Sequence, residues 1–172
     1  GRLIFSSPSA VADYYMEDLR HLETETAVLV LLDNRMALIR EEILSLGTVN
    51  CTLLSPREIF VRALRWGAVN IVLLHNHPSG DVTPSREDIQ TTRRCIEAGK
   101  IMDIPCLDHV IVGGGNSDYY SFRESGMVDF TNEKISMTAE QILRVNESNS
   151  TYKGGTETMP ENGRKDDLFV PD

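Results

Sequence analysis

The chain has 172 residues, 41% of them apolar, which is about one domain at ~100–200 residues per domain and enough for one core. Seventeen Lys and Arg against 26 Asp and Glu leave a formal charge of −9, so a phosphate backbone meets a repelling field and bulk DNA binding is disfavoured. The longest apolar stretch, Ala27 to Leu32, is far below the ~18–20 residues of a membrane span, and no basic segment with an apolar h-region opens the chain; the expectation is a soluble, cytoplasmic protein with no membrane partner.

In chain order, Ser7-Pro8 is an N-cap with proline at the first helical position and predicts a helix through about Leu19, a lead-in over residues 1–20. Thr26 to Leu32 is a short, β-branched apolar run bounded by Asp33-Asn34, which suits a buried strand. A second strand follows from about Met36 to Ser45 and ends at Gly47. Ser55-Pro56-Arg57-Glu58 is a capping box, and Ile59, Phe60, Ala63, Leu64 and Ala68 repeat at helical spacing behind it. Val69 to Leu74 predicts another strand, running directly into His75-Asn76-His77-Pro78-Ser79-Gly80. A helix starts after Pro84-Ser85 and continues to about Gly99, a strand covers Ile104 to Val112, and Gly113-Gly114-Gly115-Asn116 turns the chain onto Tyr119 to Phe122. Helices and strands alternate with one hairpin at each side, so an α/β fold with a single mixed sheet is expected over residues 21–130. A C-terminal helix is expected over 131–146. Residues 147–172 carry six acids against Lys153, Arg164 and Lys165 with few large apolar side chains, and read as a disordered acidic tail.

His75 and His77 stand two apart at the end of an apolar strand, so the strand period sends both imidazoles to one side. Asp88 lies in the first turn of the following helix, and a strand end and the adjoining helix start are neighbours in such a unit. Two His and one carboxylate with an open position form the ligand set of a catalytic zinc, whereas a structural zinc is closed by four protein ligands. The bland alternative stands beside it: Ser85-Arg86-Glu87-Asp88 is also a capping box in which Asp88 only reaches back to the cap backbone. Cys51, Cys95 and Cys106 are odd in number and lack CxxC spacing, which speaks against a disulfide framework and a cysteine-built zinc site; they read as reduced core thiols.

The spacing His75-x-His77-x₇-Ser85-x₂-Asp88 resembles the metal signature of the JAMM (MPN+) metalloproteases. The run from His75 to Ser85, with Leu107-Asp108-His109-Val110-Ile111-Val112-Gly113 further on, resembles the RadC family. The resemblance covers roughly Ser6 to Val128 and includes Gly47-Thr48-Val49-Asn50, Pro56-Arg57-Glu58 and Ser121-Phe122-Arg123-Glu124. It implies a three-layer α-β-α sandwich with a mixed sheet, a JAB/MPN domain similar in fold to cytidine deaminases. It also implies a zinc metallopeptidase that hydrolyses a peptide or isopeptide bond in a protein substrate: His75, His77 and Asp88 on Zn2+, Glu25 as general base, and Ser85 assisting the developing oxyanion. Glu23, Glu41 and Glu42 are further candidates for the base, and Asp108 and His109 read as structural or supporting groups.

Three rivals are weighed. A zinc deaminase would need HxE and PCxxC, and Pro105-Cys106 is followed by Leu107-Asp108-His109 instead. A non-catalytic binding module is the second. The third is the association with DNA repair in the family's traditional name: Arg57, Arg62, Arg65, Arg93 and Arg94 could form a basic patch, but a charge run on a helix is usually a solvated face. Members often carry a helix-hairpin-helix module, and the residues before Ser6 leave no room for one in this chain. Neither the natural substrate nor the oligomeric state is legible.

Overall fold

The computed structural model describes residues 1–46 and 54–131. Gly47, Cys51, the helix expected over 131–146 (apart from Thr131) and the expected acidic tail lie outside them. In chain order the elements are α1 (Pro8–Leu19), β1 (Thr26–Leu32), β2 (Leu38–Leu46), α2 (Pro56–Arg65), β3 (Asn70–His77), α3 (Arg86–Met102), β4 (Cys106–Gly113), β5 (Tyr119–Ser121) and α4 (Phe122–Ser125).

Serine starts each of the three longer helices: Ser7 accepts from the Ala10 amide, Ser55 from that of Glu58 and Ser85 from that of Asp88. Each cap satisfies an amide that has no partner inside its helix. The third helix runs past Gly99 to Met102, where the sequence suggested a stop. Gly99 serves packing instead, because a Cβ there would press on the main chain at Ile104 and Cys106, and the turn falls at Asp103 in the left-handed conformation.

The sheet order is β2-β1-β3-β4-β5, antiparallel except for the β3–β4 pair, which α3 joins as a crossover. The hairpins β1–β2 and β4–β5 form its two sides. All of β1 is buried, because the sheet is covered on both faces. Val28, Val30, Leu32, Val72, Leu74, Val110 and Val112 pack under α1 with Val11, Ala12, Tyr15 and Leu19. On the other face Leu29, Leu31, Ile71 and Leu73 pack with Ile59, Phe60 and Ala63 of α2 and Cys95 and Ile96 of α3. Helix, sheet and helices thus make three layers.

Parallel pairing carries β3 beyond Leu74, through His75 opposite Ile111 to His77 opposite Gly113. Both histidines therefore belong to the strand. Among the described residues no helix is long and apolar enough to cross a membrane.

Candidate metal centre

The end of β3, the start of α3 and the segment just before β1 meet at one corner of the sheet, and each delivers a side chain. Antiparallel pairing sets Ala27 opposite His75, which brings Glu25 to the histidines. One ligand atom each from Glu25, His75, His77 and Asp88 lies within 4.8 Å of the others. His75 Nε2 is 2.9 Å from His77 Nε2, 3.3 Å from Asp88 Oδ1 and 3.4 Å from Glu25 Oε1; His77 Nε2 is 3.4 Å from Asp88 Oδ2 and 3.8 Å from Glu25 Oε1. The side chains of His75 and Asp88 are almost wholly buried, whereas those of His77 and Glu25 are 15% and 20% exposed, so the cluster opens to solvent on their side.

The two readings of Asp88 prove compatible. Its Oδ2 accepts from the Ser85 amide at 2.7 Å, closing the capping box, while Oδ1 is buried with no hydrogen-bond partner. A buried carboxylate oxygen left without a donor is costly, and it faces the His75 imidazole at 3.3 Å while Oδ2 lies toward His77. His77 Nδ1 is 2.8 Å from the Asp81 carbonyl, which can only accept, so Nδ1 carries the hydrogen and a neutral His77 turns a lone pair at Nε2 toward His75. Two imidazole nitrogens and a carboxylate oxygen converging without donors of their own fit a divalent cation such as zinc.

Burial and neighbouring charges pull the groups of the cluster in different directions. Burial and the neighbouring His109 hold the His75 imidazole well below its ordinary range. Asp88, first, raises that of His77. Burial favours the protonated form of Asp88, but contacts with His77, His75 and Ser85 outweigh it and keep the carboxyl below the usual carboxylate range.

Asn76, between the two histidines, escaped the sequence reading. It is fully buried; its Oδ1 accepts from the Thr26 amide at 2.7 Å and its Nδ2 donates to the Thr24 carbonyl at 3.1 Å, so it clamps both neighbours of Glu25. The strand period that points His75 and His77 one way points Asn76 the other, and this was the available signal. Asn76→Ala would leave the buried Thr26 amide and the Thr24 carbonyl without those partners, and is expected to cost ~1–3 kcal/mol in denaturant unfolding. The loop after His77 is held as closely: Gly114 N donates to the His77 carbonyl, and a Cβ on Gly114 would strike the main chain of Pro78.

The other glutamate candidates fall elsewhere. β1 begins at Thr26, so Glu23 is not on a strand face but in an exposed bend. Glu42 is engaged by Arg40, Arg62 and Trp66, and Glu41 lies beside Tyr15 on the α1 side. Ser85 is exposed at the start of α3, its oxygen accepting from Asp88 N and its hydroxyl hydrogen being its remaining donor. His109 bonds His75 Nδ1 at 2.8 Å. Cys95 and Cys106 are free thiols in the core on α3 and β4. Of the basic side chains on α2 and α3, Arg62 is tied to Glu58 and Glu42, while Arg57, Arg65, Arg93 and Arg94 are solvated. A cavity of about 210 Å³ lies at the opposite end of the strands, on Leu32, Val72 and Leu107, and contains Asp108 and Arg123 but no imidazole.

Comparison with known proteins adds to this geometry. A family model described as RadC-like JAB domain matches residues 5–127. Three curated relatives, each named only UPF0758 protein, are similar to the chain: one from Staphylococcus carnosus is 42% identical over 124 residues, covering 72% of this chain and 54% of the relative. One from Pelobacter propionicus is 45% identical over 124 residues, covering 72% and 53%, and one from Desulforamulus reducens is 43% identical over 127, covering 74% and 55%. The chain spans about half the length of the curated relatives it matches.

Proposed function

This chain belongs to the RadC-like JAB domain family, and from that membership and the composition of its four-residue cluster we propose that it is a zinc-dependent hydrolase of the JAMM type, cleaving a peptide or isopeptide bond in a protein or peptide substrate. The observation that carries the reading is the convergence of His75 Nε2, His77 Nε2 and the partnerless Asp88 Oδ1 beside a glutamate that solvent can reach. These three atoms would hold the ion. When bound, zinc lowers the pKa of water to about 7 and polarises a carbonyl.

The remaining work falls to the chain's own groups. Glu25 stands at the open side, within reach of the two imidazoles, where a carboxylate can take the proton of the attacking water and pass it to the leaving amine. Ser85, one helical turn from Asp88, has its hydroxyl hydrogen to offer the carbonyl oxygen as charge develops there. Buried, free Cys95 and Cys106 support a reducing compartment, the cytoplasm, as its place of work.

A panel of quenched fluorescent peptides and of isopeptide-linked conjugates tests the reading. Cleavage that stops on treatment with a zinc chelator and returns with added zinc is the expected result. Zinc-loaded protein that cleaves nothing on either panel would turn the reading toward a binding or scaffold domain.

A further inference from the structure

Behind the cluster runs a chain of hydrogen bonds, and we propose that His109 is a positioning residue that fixes the tautomer of His75 and so leaves His75 Nε2 bare toward the ion. The inference rests on reading the cluster as a metal site. It goes further by giving a task to segments the reaction leaves unused: Thr92 on α3, Asp108-His109 on β4, and Ser121-Phe122 at the β5–α4 junction.

One carbonyl sets the direction of the whole chain. Thr92 Oγ1 lies 2.6 Å from the main-chain oxygen of Asp88 and 2.6 Å from His109 Nδ1. A carbonyl only accepts, so the single hydroxyl hydrogen goes to Asp88 and the hydroxyl oxygen accepts from His109 Nδ1–H. His109 is buried, and its ring nitrogens face a hydroxyl and an imidazole rather than a carboxylate, so a charge there would be expensive and the ring is neutral. Its Nε2 is then a lone pair. His75 Nδ1, 2.8 Å away, must donate to it. A neutral His75 with hydrogen on Nδ1 carries its lone pair on Nε2, the atom that faces His77, Asp88 and Glu25.

The ring that decides this is itself gripped. His109 stacks on Phe122 with centroids 5.0 Å apart and planes 13° from parallel. Asp108 fixes the adjoining backbone: its Oδ1 accepts from the amides of His109 at 2.7 Å and Arg123 at 2.9 Å, and its Oδ2 accepts from the Ser121 hydroxyl. The relay starts on the main chain of Asp88 and ends on the imidazole facing the side chain of Asp88, so β3, β4 and α3 are joined in one loop around the cluster.

Two readouts on the same proteins test it. Long-range proton–nitrogen correlation spectra of metal-free, ¹⁵N-histidine-labelled protein report the tautomer of His75, assigned by its absence in His75→Gln, and titration with Co2+ followed by visible absorption reports affinity. Wild type is expected to show Nδ1–H at His75. Thr92→Val, which removes the hydroxyl at nearly constant shape, and His109→Phe, which keeps a ring on Phe122 without nitrogens, are each expected to mix the tautomers and weaken Co2+ binding by ~10–100-fold. Thr92→Ser should restore binding to within about threefold of wild type. An Nε2–H tautomer at His75 in wild type, or unchanged spectra and Co2+ affinity in both variants, would overturn the proposal. If wild type takes up no Co2+, the metal reading fails by itself, and the relay is then decided by the metal-free spectra alone, Nδ1–H at His75 supporting it and Nε2–H ending it.

Discussion

Elemental analysis of His77→Ala is expected to show almost no zinc under conditions in which wild type, reconstituted in parallel, holds close to one ion per chain. His77 supplies one of the converging donor atoms, and its loss leaves an imidazole and a carboxylate, with too few protein donors to hold the ion tightly against water. The effect should exceed the ~10–100-fold that loss of a supporting contact costs. His77 is the right ligand to remove because its side chain is partly exposed, whereas His75 is buried and bonded to His109, so His75→Ala would confound loss of metal with loss of folding. A circular dichroism melt close to wild type, measured with both proteins stripped of metal, separates the two effects. Equal, near-zero zinc in both proteins after reconstitution would reduce Asp88 to a helix cap and remove the basis of the hydrolytic reading.

Glu25→Gln should separate binding from turnover. Glutamine matches the shape of glutamate but cannot take a proton, so bound zinc is expected to stay at the wild-type level while cleavage of whichever panel substrate is found falls by ~10²–10⁴-fold. The geometry makes this a sharp test, because Glu25 Oε1 is 3.4 Å from His75 Nε2 and could also be reached by an ion held there. If zinc is lost along with turnover, Glu25 is a ligand to the ion, and the lost cleavage reports the missing ion rather than a missing base. Retained zinc with retained turnover would assign the proton transfer to another group.

Much of this site could be read from the chain because its signals are local. The strand period alone pairs His75 with His77, and the spacing of Ser85 and Asp88 at a helix start follows from one helical turn. Glu25 was legible only through resemblance, since nothing local separates it from Glu23; the start of β1 at Thr26 and the register Ala27 to His75 set Glu25, and not Glu23, beside the histidines. Asn76 and His109 act through partners on other elements, Thr24 and Thr26 in one case, Thr92 and Phe122 in the other. The strand period could set Asn76 on the face opposite the histidines, and His109 could be read as a supporting group, but their partners exist only once strands are paired and are not written along the chain. Gly99 shows the same limit: a helix stop by composition, it is a contact surface against β4 in space. The Ser121-Phe122-Arg123 run was visible as a motif, but its purpose, gripping Asp108 and His109, is tertiary.

The clamp of Asn76 on Thr24 and Thr26 has a kinetic consequence. Thr26 and Asn76 are 50 residues apart in the chain, so the corner that holds the cluster cannot exist until that long loop has closed and β1 has zipped against β3. An ion that prefers the finished corner binds after that closure and contributes little to its speed. Its effect should fall on the reverse step: zinc is expected to slow unfolding while leaving the refolding rate nearly unchanged, so that the loaded protein outlasts the stripped one without assembling any faster.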